Sequence, residues 1–268
     1  MPQETATPLP SFFLPHGAGP CFFMDWTPPD AWDRMAAYLR GLADDLPARP
    51  KAILVISAHW LAPVFTVASA AKPELIFDYH GFPPHTYQLT YPAPGDPALA
   101  TRIVKLLRGA GLEAREDPAR GFDHGVFIPL KLSFPEAEIP VVPLSLRGDL
   151  DPAAHLAAGH ALAPLREEGV LILGSGMSFH NMRGYGDPRF TAPSESFDAW
   201  LTESAADPAA RDRALGAWAE APGGLQSHPR GQEEHLLPLM VAAGAGGPGR
   251  RDFTDRVMEV ALSAFRFD

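Results

Sequence analysis

The chain contains 268 residues, of which 46% are hydrophobic, and its formal net charge is −10. This size and apolar content can bury a substantial core, so we expect a single domain over residues 1–268. The acidic balance argues against a nucleic-acid partner, because a protein that binds the phosphate backbone needs a clustered basic surface. Cys21 is the only cysteine. An internal disulfide and a thiolate-based metal site are therefore excluded, and any metal would be held by histidine and carboxylate side chains.

The sequence carries no signal for a membrane. Residues 1–8 lack the basic and apolar regions of a secretory signal peptide, and no window approaches the roughly 20 apolar residues that span a bilayer. We therefore expect a cytoplasmic protein without a membrane partner, and a homodimer is the assembly that we consider.

Short apolar segments rich in β-branched residues alternate with longer segments of helical period, which is typical of crossover units around a parallel sheet. The predicted fold class is α/β, a single domain with a central, mostly parallel or mixed sheet flanked by helices. The best-defined helix has Asp96 as its N-cap and Pro97 at its first position. In chain order, the predicted strands are 11–14, 52–57, 64–69, 140–146, 169–173 and 257–264. The predicted helices are 29–46, 95–109, 152–167, 195–206 and 208–219.

A long loop over residues 77–96 precedes the best-defined helix. It is rich in aromatic residues and nearly free of charge. Loops of this length are uncommon without a function and often wall an active site.

Three histidines, His16, His59 and His180, directly follow apolar segments that are rich in β-branched residues. Residues just past the carboxyl ends of parallel strands meet at one crevice of an open α/β sheet, so we expect these imidazoles to converge there. Convergent imidazoles indicate a metal site at the carboxyl ends of the strands. Placement alone leaves metal ligation and an ordinary turn role equally open for His16 and His59.

His124 and His180 each allow more than one interpretation. His124 lies between a glycine-bounded turn and an apolar run, so it is either a turn residue bonded to the backbone or a proton donor or acceptor near neutral pH. His180 follows Gly174 and Gly176, and small residues there would let a ligand or a metal approach the backbone. A nucleotide loop is not indicated, because the third glycine and the Lys-Ser/Thr pair of the known phosphate loops are missing.

The last cluster of candidate ligands lies at residues 227–239. If Glu233 begins a helix, Glu234 and His235 differ by about 100° around its axis, so only one of them can face a given metal. The alternative is a charged first turn that suits the helix dipole. The residues themselves leave the third metal ligand open.

Together these motifs resemble the class III extradiol ring-cleavage dioxygenases, in the branch similar to DOPA 4,5-dioxygenase. They run in order from near the first residue to about residue 240, and they are specific as a set rather than singly. The segments that carry the resemblance are Leu14-Pro-His-Gly17, Ser57-Ala-His-Trp60, Tyr79-His-Gly-Phe-Pro83, Tyr91-Pro-Ala-Pro-Gly-Asp96, Gly121-Phe-Asp-His-Gly125, Gly174-Ser-Gly-Met-Ser-Phe-His-Asn181, His228-Pro-Arg and Glu234-His-Leu-Leu-Pro-Leu239.

The resemblance implies a divalent metal, iron(II) in the active enzyme and often zinc as purified. The implied ligands are His16, His59 and His235, with Glu234 as the substitute for His235 because the spacing after His228 differs from the family pattern. His180 is the alternative fourth ligand.

The same resemblance implies a small aromatic diol and O2 as substrates and a semialdehyde as product. His180 is the candidate base for the catechol proton, and His124 is the candidate that hydrogen-bonds dioxygen or donates a proton when the O–O bond breaks. Tyr87 and Arg183 are candidates for orienting polar substituents of the substrate, on composition and neighbourhood alone.

Two other functions fit part of the same pattern. A zinc-dependent hydrolase would use these imidazoles to activate water, and iron dependence with oxygen uptake would distinguish the dioxygenase from it. A non-enzymatic binding protein on the same fold would be expected to lack the acid–base pair His124 and His180.

Overall fold

Eight strands form one mixed sheet in the computed structural model, which describes residues 8–268. The strands are β1 (Ser11–Pro15), β2 (Ala52–Ala62), β3 (Phe65–Ala68), β4 (Ala114–Asp117), β5 (Val141–Arg147), β6 (Val170–Gly176), β7 (Gly249–Val257) and β8 (Val260–Phe267). The helices are α1 (Asp33–Gly41), α2 (Pro97–Gly109), α3 (His124–Ser133), α4 (Pro152–Leu162), α5 (Thr191–Ala206), α6 (Pro208–Gly216), α7 (Gly224–Ser227) and α8 (Leu237–Ala245).

The spatial order of the strands is β4-β3-β5-β2-β6-β1-β8-β7. The four central strands β5, β2, β6 and β1 are parallel to one another, so their carboxyl ends share one edge of the sheet. Antiparallel pairs occur where β3 meets β5 and where β8 meets β1 and β7. The predicted α/β class with a mixed sheet is confirmed, and the parallel centre supplies the edge at which the candidate site lies.

Alternate residues of the central strands enter two separate cores, one on each face of the sheet. Phe13, Leu54 and Ile172 pack on the face covered by α2, α4, α5 and α8, whereas Phe12 and Leu171 pack on the face covered by α1 and α3. These strands are therefore buried on both sides, which explains why they read as continuous apolar runs.

Most predicted elements are present with ends shifted by a few residues, and the N-cap of α2 is confirmed because the Asp96 carboxylate accepts the Leu99 N–H at 2.9 Å. The last strand, predicted at 257–264, is present as β8 three residues later, and the first residues of the predicted range are instead the end of β7 and a two-residue turn. None of the described helices has both the length and the apolar character needed to cross a bilayer.

Close glycine contacts set the distance between α4 and α8. A Cβ atom on Gly159 would lie 2.3 Å from the Val241 carbonyl oxygen, and one on Gly244 would lie 2.3 Å from the Leu156 carbonyl oxygen. Both obstacles are backbone atoms, so neither contact is relieved by a change of rotamer. The two helix backbones can approach this closely only without side chains at these positions.

This packing predicts a reversal of the usual effect of alanine in a helix. Gly159→Ala should lower the free energy of unfolding by about 1–3 kcal/mol through overpacking, although alanine favours an exposed helix by about 0.5–1 kcal/mol. Gly109→Ala in α2 is the matched control, because nothing lies within 4 Å of its added Cβ. Denaturant unfolding should show a loss for Gly159→Ala alone, and an equal effect in both variants would contradict the close-contact explanation.

Candidate metal centre and active site

Three imidazoles meet at the carboxyl ends of the parallel strands. His16 directly follows β1, His59 lies near the end of β2, and His235 lies in the turn before α8. The Nε2 atoms of His59 and His16 are 3.0 Å apart, and those of His235 and His59 are 3.3 Å apart. One ligand atom from each of the three residues lies within 4.8 Å of the others. The structure thus brings together the three residues that the resemblance implies as ligands, whereas the placement after strands had predicted His180 in this group.

The spacing of these nitrogens fits a shared cation. Two nitrogens about 2.1 Å from one metal are about 3.0 Å apart at a right angle and about 3.4 Å apart at the tetrahedral angle. The distances from Nε2 of His59 to Nε2 of His16 and of His235, 3.0 and 3.3 Å, both agree with this range. The three side chains could therefore hold a divalent metal on one side and leave its other positions open.

The strand that carries His59 is longer than the sequence predicts, so His59 lies inside β2 rather than after it. Its pairing with β6 ends at Ser57, and its pairing with β5 is interrupted between Ile56 and Leu61. Within this interruption, the Ser57 hydroxyl accepts the His59 N–H at 3.2 Å and donates to Asp123 at 2.6 Å. This irregularity replaces the strand end that the sequence analysis expected.

The hydrogen bonds of His16 define its tautomer. The Ser175 hydroxyl donates its only proton to the carbonyl oxygen of Gly125, so at 3.2 Å it can only accept from His16 Nδ1. Nδ1 of His16 therefore carries the proton. The lone pair of Nε2 is left for a metal.

His235 is held in the same way by its neighbour Glu234. The Glu234 carboxylate accepts from His235 Nδ1 at 2.9 Å, so Nε2 of His235 faces His59 without a proton. The helix expected from Glu233 begins only at Leu237, and both candidate ligands lie in the preceding turn. The geometry thus brings His235 to the other two imidazoles and places Glu234 behind its ring.

Burial keeps the three imidazoles neutral. Desolvation and the neighbouring histidines hold the pKa of His16 and of His235 well below the ordinary value. For His59, desolvation and His124 lower the pKa to about 3, despite the opposing effect of Asp78. A neutral imidazole is the form that binds a metal, so protons compete little for these nitrogens near neutral pH.

His180 stacks on His235 rather than pointing at the three convergent nitrogens. The ring centroids are 3.3 Å apart with an angle of 16° between the planes. Nδ1 of His180 lies 3.6 Å from Glu234, and its possible ligand atoms group with Glu234 and His235 instead of with His16 and His59. Desolvation and the charge of His124 lower the pKa of His180 to about 4.

His124 is the first residue of α3, and Asp78 holds it at two points. One Asp78 oxygen accepts from the backbone N–H at 3.0 Å and from Nδ1 at 2.8 Å. The other Asp78 oxygen lies 3.8 Å from Nδ1 of His59. Burial raises the pKa of Asp78, but the hydrogen bonds and charge of His124 outweigh this effect, so the pKa is lower than usual.

Sequence reasoning missed Asp78, although a signal was present. Apart from Asp96 at its end, Asp78 is the only acidic residue of the aromatic segment 77–96. An isolated carboxylate in an otherwise uncharged loop indicates a specific partner. Backbone hydrogen bonds from Ile76 to Phe122 and from Phe122 to Glu74 bring this loop beside His124.

The glycines before His180 serve a purpose different from the one expected. A Cβ on Gly174 would lie 2.3 Å from the Pro238 carbonyl oxygen, and one on Gly176 would lie 2.1 Å from that of His235. The group that approaches the backbone here is the turn that carries His235, and not a ligand. The Met177 N–H then donates to the His235 carbonyl at 3.0 Å and fixes that turn against β6.

A cavity of about 430 Å³ opens above the imidazoles. Its polar floor is formed by His16, His59, His124, His180 and His235. Around this floor it is lined by Gly17, Ala18, Gly19, Trp26, Trp32, Phe82, Met177, Met182, Tyr185 and Met258. This volume falls in the range of about 300–1,000 Å³ that is usual for small-molecule sites.

The two predicted substrate-binding residues, Tyr87 and Arg183, are not among the residues that line this cavity. Tyr87 lies behind Phe82 in the 77–96 loop, where its hydroxyl donates to the Tyr79 carbonyl at 3.4 Å. Arg183 is exposed and lines a separate surface depression with Arg189. Within residues 8–268, the geometry therefore does not bring them to the imidazoles.

Comparison with known proteins agrees with this arrangement. Residues 11–262 match the family described as the catalytic LigB subunit of aromatic ring-opening dioxygenase. The chain is 40% identical to a 4,5-DOPA dioxygenase extradiol of Beta vulgaris over 243 residues, covering 88% of this chain and 87% of the relative. It is 35% identical to a 4,5-DOPA dioxygenase extradiol of Escherichia coli K12 over 248 residues, covering 90% of this chain and 86% of the relative.

A further relative and a solved structure support the same assignment. A dioxygenase of Hapsidospora irregularis, tasH, is 39% identical over 236 residues, covering 83% of this chain and 73% of the relative. The crystal structure of an uncharacterized protein from Escherichia coli K12 superposes with a TM-score of 0.74 at 30% identity, covering 97% of this chain and 100% of the other. The chain therefore belongs to the LigB family of class III extradiol ring-opening dioxygenases.

Proposed function

We propose that this protein is a non-haem iron(II) dioxygenase that opens the ring of a catechol with O2 and yields a semialdehyde. The observation that carries the proposal is the set of three neutral imidazoles, His16, His59 and His235, whose Nε2 atoms converge at the floor of a cavity. In the overall reaction, both atoms of O2 enter the product and the carbon–carbon bond beside the diol breaks. No external reductant is required.

The donor set is compatible with both iron(II) and zinc, since three imidazoles suit either metal. When bound, the metal would supply a Lewis acid that lowers the pKa of the catechol hydroxyls and a centre that exchanges electrons with dioxygen. Zinc has no redox chemistry. Iron is therefore the metal that we propose for activity.

His180 is proposed as the base that takes a proton from the catechol. Its lowered pKa keeps the ring neutral and able to accept. Nδ1 faces Glu234 at 3.6 Å, so the carboxylate would stabilise the imidazolium that forms, while Nε2 is left for the substrate. The stacking on His235 fixes the plane of the ring against the metal centre.

His124 is proposed as the group that donates a proton to a dioxygen-derived oxygen as the O–O bond breaks. Nδ1 of His124 is bound to Asp78, so Nε2 is the nitrogen available to the cavity that His124 lines. The carboxylate stabilises the protonated ring and orients it. His124 and His180 both line the cavity and would thus supply the acid and the base of the reaction.

The alternative functions receive less support. A zinc hydrolase would activate water with the same three imidazoles, but the family of this chain consists of ring-opening dioxygenases. A non-enzymatic binding protein would have no use for His124 and His180, and both line the cavity. A homodimer, a cytoplasmic location and the absence of nucleic-acid and membrane partners stay predictions.

The deciding experiment is anaerobic reconstitution with iron(II), followed by oxygen-electrode and absorbance assays on a panel of catechols. We expect uptake of one O2 for each catechol consumed and a yellow semialdehyde product. The zinc-loaded protein is the matched control and should consume no oxygen. Hydrolytic activity in the zinc form, with no oxygen uptake in the iron form, would overturn the proposal in favour of the hydrolase.

The proposed roles of His59 and His180 predict different losses. His59→Ala removes a nitrogen from the centre of the cluster and should abolish stable metal binding. His180→Ala should keep the metal and lower kcat by about 10²–10⁴-fold, the usual contribution of a general base. His160→Ala is the control, because that exposed side chain pairs with Asp212 on the surface. Metal content and kcat are measured together, and equal metal loss in both site variants would make His180 a ligand.

Asp78→Asn tests the carboxylate behind His124. The amide keeps the size of the side chain but cannot stabilise a protonated imidazole, so kcat/KM should fall about 10–100-fold, as is typical when a partner of an active-site histidine is lost. Metal content should be retained, because Asp78 contacts His59 only at 3.8 Å. A pH–rate profile unchanged in shape and height would contradict this role.

A further inference from the structure

The walls of the cavity differ in character from its floor. Apart from the five histidines, the lining consists of Gly17–Gly19, Tyr185 and six large aromatic or sulfur-containing side chains, Trp26, Trp32, Phe82, Met177, Met182 and Met258. No lysine, arginine, aspartate or glutamate among residues 8–268 lines this space. A substituent that extends from a bound ring toward these walls would therefore meet no ionic partner.

The few polar atoms of the walls do not supply a partner for a charged substituent either. The Tyr185 hydroxyl already donates to the Phe179 carbonyl at 3.0 Å. The indole N–H of Trp32 has no hydrogen-bond partner among residues 8–268, but it is a single neutral donor on a side chain that is only 4% exposed. One such donor cannot compensate a carboxylate or balance an ammonium group that has lost its water.

Methionine is concentrated at this cavity. Three of the seven methionines of the chain line it, and Met182 is 66% exposed at its edge. Methionine is unbranched and adapts its shape to irregular apolar ligands. An exposed large apolar side chain at the edge of a cavity marks an apolar entrance.

The turn between β7 and β8 gives independent support. Met258 and Glu259 are the two loop residues of this hairpin, with φ of 43° and 75°. Positive φ at both positions favours Asn-Gly and is costly for other residues. Position 258 thus carries a methionine although its positive φ disfavours one, and the side chain of Met258 lines the cavity.

Specific contacts hold this unfavourable turn over the cavity. The Gly186 N–H donates to the Met258 carbonyl at 2.7 Å, and the Thr191 hydroxyl donates to the Glu259 carboxylate at 3.1 Å. The surrounding structure therefore imposes the conformation. The feature that this conformation delivers is an apolar thioether on the wall of the cavity.

We propose that the cavity selects catechols whose ring carries an uncharged, apolar substituent, such as an alkyl or aryl group, over catechols that carry a carboxylate or an amino-acid side chain. This inference rests on the proposed function and specifies its substrate class. It separates this chain from the relatives named for 4,5-DOPA, whose named substrate is a charged amino acid.

The expected preference has a definite size. Each methylene moved from water into an apolar site contributes about 0.8 kcal/mol, which corresponds to about fourfold in kcat/KM. From 4-methylcatechol to 4-butylcatechol, kcat/KM should rise roughly 50-fold on this basis. DOPA and protocatechuate should be cleaved more slowly than 4-methylcatechol, because their charged groups are desolvated without a partner.

The first experiment measures kcat/KM of the iron-reconstituted protein for 4-methylcatechol, 4-butylcatechol, DOPA and protocatechuate. A rise along the alkyl series with poor cleavage of the charged catechols supports the proposal. Preferred cleavage of DOPA or protocatechuate would overturn it while leaving the dioxygenase function intact. If no catechol is cleaved, the proposed function fails, and anaerobic calorimetry with 4-butylcatechol and protocatechuate still decides the preference of the cavity.

The second experiment uses the turn itself. Met258→Asn supplies a residue that suits the backbone but removes the apolar wall, so the protein should fold at least as stably while the preference for 4-butylcatechol over 4-methylcatechol falls about tenfold. Glu259→Gly is the matched control, because it relieves the same turn without touching the cavity and should leave the preference unchanged. Equal preferences in wild type and Met258→Asn would overturn the role of this wall.

A third experiment adds the ionic partner that the walls of the cavity lack. Met182→Arg places a cation at the exposed edge of the cavity and should raise kcat/KM for protocatechuate relative to 4-butylcatechol by at least tenfold, because an ionic partner is then present. The outcome that opposes the proposal is an unchanged ratio in the folded, metal-loaded variant.

Discussion

Everything in the site depends on three imidazoles, those of His16, His59 and His235, whose Nε2 atoms meet at one focus. The arrangement is close, with Nε2 of His59 3.0 Å from that of His16 and 3.3 Å from that of His235. The fold imposes it by holding the opposite nitrogens of His16 and His235 with Ser175 and Glu234. A divalent cation held by these side chains would bind the folded protein and so would stabilise this region. The hydrogen bonds behind His16 and His235 orient the two rings for such a metal.

The sheet supplies the positions that this arrangement requires. His16 and His59 come from β1 and β2, the strands on either side of β6, but His235 lies in a turn that must pass very close to β6. Gly174 and Gly176 leave the room for that turn, and the Met177 N–H fixes it. Close backbone packing, more than any single side chain, therefore sets where the third imidazole lies.

The hydrophobic pattern predicted elements that bury only one face or whose ends carry a capping residue, such as α2, which begins after Asp96. It missed α8, which is buried over its whole surface and so shows no amphipathic repeat, and β4, whose residues Arg115 and Glu116 are polar and exposed at the sheet edge. It also missed α3, which contains Pro129. These failures are local, and the α/β class survives because the central strands are unambiguous.

The candidate site was predictable to a similar degree and for a related reason. Topology predicted that His16 and His59 meet, although His59 lies inside β2 and His180 groups with Glu234 and His235 instead. The choice between Glu234 and His235 depended on where α8 begins. The role of Asp78 depended on a contact across 46 positions of the chain. Such long-range contacts leave only an indirect trace in one sequence, in this case an isolated acid in an aromatic loop.

The convergent imidazoles and the apolar wall of the cavity come from different parts of the fold. The histidines of the cavity floor come from the ends of parallel strands, from α3 and from the turn before α8, and several of them are hydrogen-bonded to other side chains, such as Ser175, Asp78 and Glu234. Part of the wall comes instead from the antiparallel hairpin of β7 and β8, whose turn residues contact the rest of the molecule through a few hydrogen bonds. A substitution at Met258 would therefore alter the wall while leaving the hydrogen bonds that hold His16 and His235 in place.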